Sequence, residues 1–137
     1  MSPQAFDLAF RTAMTAGPAA QALAEDYADI ACSLRAGELD HALESFGACA
    51  DRLQRFLTFV VVTSEMLMAG RPSLGAVVAD YGRRLLRVAA TVEAHLERND
   101  LVGLTLALEH GLSTGLSEYE SHADAVLTAL SPTMAAA

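Results

Sequence analysis

The residues best spaced to do chemistry are Glu38-Leu39-Asp40-His41, the only Glu-x-x-His in the chain, and Glu118 with His122, one helical turn apart. Dinuclear metal sites in helical bundles need a carboxylate from each of two helices and a Glu-x-x-His from each of two others, all pointing inward. Glu38–His41 sits at a turn and has no second copy. Glu118 lacks acidic company at the inward positions of other helices. Neither pair spells a metal site, and no cofactor is implied. A ligand- or metal-dependent enzyme site beside Gly111 and Gly115, using Glu118, Tyr119 and His122, is the alternative to the reading reached below.

Other reactive side chains are dispersed. His41 and His95 flank two similar turns and are expected at one end of the molecule, where histidine titrates near neutrality. With His110 and His122 they are read as separate solvated or satisfied residues. Arg83, Arg84 and Arg87 form a cluster of the kind that clamps an anion, with Arg83 and Arg87 sharing a helical face and Arg84 about 100° away. A solvated face paired to Asp80 is the simpler reading. Cys32 and Cys49 are expected at heights that differ by roughly 10 Å along adjoining helices. That is too far for a disulfide, so both are read as free, buried thiols. Neither has a histidine placed to activate it, and the chain has no Gly-x-Ser-x-Gly elbow and no glycine-rich phosphate cradle. Nothing here points to an enzyme.

Two turns of one design position these residues. Leu34-Arg-Ala-Gly-Glu-Leu39 returns in outline as Leu96-Glu-Arg-Asn-Asp-Leu101. Gly37 and Asn99 suit the left-handed conformation that closes a helix, and the acid after each meets the positive end of the next helix. The pattern predicts an all-α protein: an antiparallel four-helix bundle of two αα-hairpins with an additional short N-terminal helix, in one domain over 1–137. The N-terminal helix is placed at 3–16, ended by Gly17-Pro18, in preference to a kinked continuous helix from Pro3 to Ala36. The first hairpin is placed at 18–69, the second at 73–130, and a frayed tail at 131–137.

The second bundle helix shows a 3.5-residue repeat, Leu39, Leu43, Phe46, Ala50, Leu53, Leu57, Val60, Ser64, Leu67. A strand over Phe59–Val62 competes, but the repeat carries through on either side. Gly70-Arg-Pro-Ser-Leu-Gly75 is the loop with the strongest breaker chemistry, with Ser73 as the N-cap of the third helix. Leu74, Val78, Tyr81, Leu85, Val88 and Val92 line that helix. Leu101, Leu104, Leu108, Leu112, Tyr119, Val126 and Leu130 line the last. Gly103, Gly111 and Gly115 each cost about 1 kcal/mol relative to alanine inside a helix. Gly111 and Gly115 are expected to make room for Phe46 or Phe56, or else to mark a crevice or kink.

The charge excludes several classes of partner. The net charge is −8, and all nine cations are arginine, which disfavours binding to nucleic acid or to an anionic membrane. The longest apolar stretch, Phe56–Met68, is shorter than the roughly 18 residues of a membrane span. The N-terminus has no signal-peptide pattern, so a cytoplasmic location is expected.

The segment from Leu96 to Glu109, followed by Gly-Leu-Ser-Thr-Gly-Leu, resembles a stretch of small, uncharacterised bacterial helical-bundle proteins, as does Arg35–Glu44. There an Asn/Asp-Asp turn leads into a leucine-rich helix with a central acid. The resemblance spans Ala31–Val126 and implies fold alone. The chain departs from it at Gly111 and Gly115, where the family carries larger residues.

Function is expected to lie in surface contact. The chain is 53% hydrophobic but only 19% charged, below the usual share of about 25%, so some apolar surface awaits a cover. Phe56, Phe59, Val61, Val62, Met66 and Met68 exceed what one internal stripe uses. They are the predicted interface of a non-enzymatic homodimer, or of a chaperone-like adaptor that takes a partner helix.

Overall fold

In a computed structural model, which describes residues 3–131, every element is helical. Helix α1 spans Pro3–Arg35, α2 Leu39–Gly70 and α3 Pro72–Glu97. A fourth, interrupted helix follows as α4 Leu101–Leu106, a π-helical segment Ala107–Ser113, α5 Thr114–Ser117 and α6 Glu120–Leu130. Helix α2 packs on α1 and α3, and both of these pack on the interrupted helix, so the bundle encloses one hydrophobic core. The predicted tail lies outside the described residues from Pro132 onward.

The two related turns are built alike. Gly37 and Asn99 hold positive φ, 78° and 55°. Around the first, the Gly37 amide donates to Leu34 O at 3.1 Å and the Glu38 amide to Ser33 O at 2.9 Å. Around the second, the Asn99 amide donates to Leu96 O at 3.1 Å and the Asp100 amide to His95 O at 2.9 Å. Both are Schellman closures, which give the last carbonyls of a helix their partners. The turns differ in the acid that follows. Asp100 caps α4 by accepting from the Gly103 amide at 2.9 Å, whereas the longer Glu38 makes no side-chain cap on α2.

Several expectations are corrected. No break falls at Gly17-Pro18, so the short N-terminal helix does not exist as a separate element: α1 is one helix of 33 residues with Pro18 inside it. Ala9, Ala13, Ala16, Ala20 and Ala24 form a buried small-residue stripe through this region, and Gly17 approaches Ala123 of α6 closely. This packing offsets the roughly 3 kcal/mol that an interior proline costs. Between α2 and α3 only Arg71 stands outside a helix, with Pro72 at the first helical position. Ser73 is therefore not the N-cap; proline at that position needs no amide partner.

On α2 the predicted stripe holds in the second half, where Leu57, Val60, Ser64 and Leu67 are buried together with Phe56, Thr63 and Met66. In the first half Phe46 and Leu53 are half-buried as predicted, but Ala42 and Cys49 are buried while Leu39 and Leu43 are about two-fifths exposed and Ala50 is exposed. A 3.5-residue step fits either set of positions, so periodicity alone does not choose between them. Phe46, common to both, meets Tyr27 edge-on at 6.2 Å across the first turn.

Candidate functional site

The six residues of the predicted interface fall into two groups. Phe56 and Met66 are buried in the protein's own core, at 7% and 3% exposure. Phe59 is half-buried against that core. Val61, Val62 and Met68 are exposed at 39%, 47% and 49%. The core consumes the first group because Phe56, Phe59 and Tyr81 surround Tyr119, with ring centroids 5.2, 6.2 and 6.1 Å away.

Val61 and Met68 line a surface groove of about 490 Å³ between α2 and α3. Its α3 side is contributed by Ala76, Ala79, Gly82 and Leu86, with Glu65 on the α2 rim and Arg83 on the α3 rim. The walls come together through glycine. A Cβ at Gly75 would stand 2.8 Å from the Met68 amide nitrogen, and one at Gly82 would stand 3.0 Å from Val60 Cγ1. The small floor then leaves Leu86, 43% exposed, and Met68 standing above it. The α3 half of this groove escaped the sequence reading. Its signal was Leu86, an apolar residue among the charges of an outer face.

The region of Gly111 and Gly115 forms a second groove, of about 360 Å³, against α3. The glycines do not face Phe46 or Phe56. Added Cβ atoms would meet Val88 Cγ1 at 2.9 Å and Leu85 Cδ1 at 3.0 Å. Gly111 lies inside the π-helical segment, so the fourth helix is interrupted there and again at Glu118–Tyr119, as the crevice-or-kink reading allowed. Of the three side chains proposed for this place, Glu118 lines the groove. Tyr119 points into the core, where its hydroxyl has no hydrogen-bond partner among the described residues and burial pushes its pKa up to about 12. His122 packs on Tyr81 at 5.2 Å.

The arginine cluster is divided differently from the helical-wheel expectation. Arg84 and Arg87 line the second groove, while Arg83 lies on the first. Asp80 is held by Arg84 at 3.3 Å and Arg83 at 3.8 Å, and Glu118 lies 3.7 Å from Arg84. Glu109 forms an ion pair with Arg35 of α1 and lies 3.7 Å from His110.

The remaining candidates have separate partners. His95 meets Asp100 at 3.1 Å, whereas His41 lies in a different groove with Asp29 and Cys49. Both cysteines are free; Cys49 is buried, but Cys32 is exposed rather than buried. Burial and the carboxylate of Asp26 raise the Cys49 thiol pKa, which lowers its reactivity. Among the described residues no group of three His, Cys, Asp or Glu is placed to hold a metal ion, and no helix is long and apolar enough to cross a membrane. No protein-family model, curated protein or solved structure matches the chain.

Proposed function

We propose that this protein acts through protein–protein contact: an antiparallel bundle of two hairpins that pairs with a second copy of itself along the α2–α3 groove. The observation that carries the reading is the groove, with exposed Val61, Met68 and Leu86 over a floor of alanine and glycine. Its rims favour a second copy as the occupant. A two-fold axis running along the groove sets the α2 wall of each copy against the α3 wall of the other. Glu65, which has no ion-pair partner among the described residues, then lies on the same side as the other copy's Arg83 and about five residues, roughly 7 Å, along the groove from it. The two long side chains have that offset to bridge, and the hold of Arg83 on Asp80 is long at 3.8 Å.

Burying about 600 Å² of apolar surface per chain contributes on the order of 15 kcal/mol at ~25 cal/mol/Å², before the cost of association. That is ample for a lasting dimer. The reading places the protein in the cytoplasm, where both cysteines stay reduced.

Light scattering on a sizing column tests it. A dimer is expected at micromolar concentration, and Leu86→Glu is expected to give a monomer that still melts cooperatively. Glu65→Arg and Arg83→Glu should each weaken the dimer, and the double variant should restore it. A wild-type monomer at these concentrations overturns the reading.

A further inference from the structure

We propose that the groove between α3 and the π-helical segment binds a small organic anion, its phosphate or carboxylate held by Arg87 and Arg84 and its apolar body laid against Leu85 and Val88. The inference is independent of self-association, which uses the opposite side of α3.

Three observations converge on it. The first is the distribution of charge. The chain carries a net charge of −8, yet this groove presents two guanidinium groups against one carboxylate, Glu118. Among the described residues Arg87 meets no carboxylate within 4.0 Å. Glu109 does not line the groove: one carboxylate oxygen pairs with Arg35 and the other lies 3.7 Å from the groove's His110.

The second is preorganisation. Arg84 is steadied between Asp80 and Glu118, at 3.3 and 3.7 Å, and it lies one turn before Arg87 on the same side of α3. Two guanidinium forks at this spacing suit an oxyanion, which accepts several charge-assisted hydrogen bonds at once.

The third is shape. The groove encloses about 360 Å³, within the range of small-ligand sites. Its far wall is the π-helical segment, a rare local geometry that recurs at functional sites. Gly111 and Gly115 let that wall close onto Val88 and Leu85, which border the cations on the apolar side of the groove.

Calorimetric titration of the full chain with phenyl phosphate, benzoate and inorganic phosphate, at low salt, tests the proposal. Saturable binding of phenyl phosphate or benzoate is expected, and whichever binds more tightly identifies the oxyanion. Arg87→Gln should weaken that binding about tenfold or more, the loss of a charged hydrogen bond. Arg55→Gln, on α2 and outside the groove, should leave it unchanged. The arginines are exposed, so both variants are expected to melt like the wild type. The proposal is overturned if neither organic probe binds saturably at millimolar concentration, or if Arg87→Gln binds like the wild type. It is also overturned if inorganic phosphate binds as tightly as phenyl phosphate.

Discussion

The Tyr81 hydroxyl donates a hydrogen bond of 2.6 Å to the Gly115 carbonyl, joining α3 to the interrupted helix. The bond exists because that helix changes its spacing. The Tyr119 amide, which in a regular helix would serve Gly115, turns instead to Leu116 O at 3.2 Å. The tyrosine from α3 supplies the missing donor, and burial raises its pKa, so it stays protonated.

Tyr81→Phe therefore leaves a partly buried carbonyl without its donor. The expected loss is about 1–3 kcal/mol, seen as a lower denaturation midpoint with an unchanged slope. Equal stability of the two proteins would show that water or a shifted backbone serves Gly115 equally well.

Glycine-to-alanine changes should divide by environment. Gly47 is exposed inside α2 with nothing within 4 Å of an added Cβ, so Gly47→Ala should stabilise by about 0.5–1 kcal/mol. Gly111→Ala places its methyl 2.9 Å from Val88 Cγ1 and should destabilise. Val88→Ala in the same chain should recover part of that loss. Thermal melts of the four proteins check all of this.

The twin turns allow a transfer experiment. Asp100 caps its helix and Glu38 does not, so Glu38→Asp should stabilise by roughly 0.5–1 kcal/mol, the worth of a modest N-cap. Gly37→Ala forces a Cβ into the left-handed region and should cost about 1–2 kcal/mol. Denaturant titration distinguishes these outcomes from no effect.

Asp100 also gives a pH signature. The Gly103 amide, and after it the His95 ring, hold its carboxyl below the ordinary value of 3.8. A depressed folded pKa contributes stability above the unfolded value, and that stability is lost as pH falls through the folded one. Asp100→Asn cannot titrate, so its melting temperature should lie below that of the wild type near neutrality. The gap should close as acid is added below about pH 4. A gap that stays constant down to about pH 2 would contradict this assignment.

The turns were legible in the sequence because few residues tolerate a positive φ, and Gly37 and Asn99 are two that do. The stripe of α3 was legible for a related reason: Val78, Tyr81, Leu85 and Val92 are buried as their spacing predicts. Elsewhere tertiary contact overrode local pattern. Gly17-Pro18 reads as a break, but its neighbouring alanines pack too well for the chain to leave the helix. In the first half of α2 two overlapping stripes fit one repeat, and only the partner helices select Ala42 and Cys49 over Leu43 and Ala50. The π-helical segment has no sequence signature, since it needs one extra residue per turn and no particular side chain. Of the surplus apolar residues on α2, Val61, Val62 and Met68 stand exposed, whereas Phe56 and Met66 go to the core. The α3 wall that completes the groove came from small residues, which periodicity does not flag.

The unbroken course of α1 has a mechanical consequence. It touches each piece of the interrupted helix in turn, and its Ala24 carbonyl accepts a hydrogen bond from Ser113 Oγ at 2.8 Å, at the end of the π-helical segment. An unbroken rod is thus lashed along a fractured one, like a splint. Were the half of α1 up to Gly17 cut away, α6 would lose its support while the twin-turn end stayed bound, so the molecule should fray from one side only.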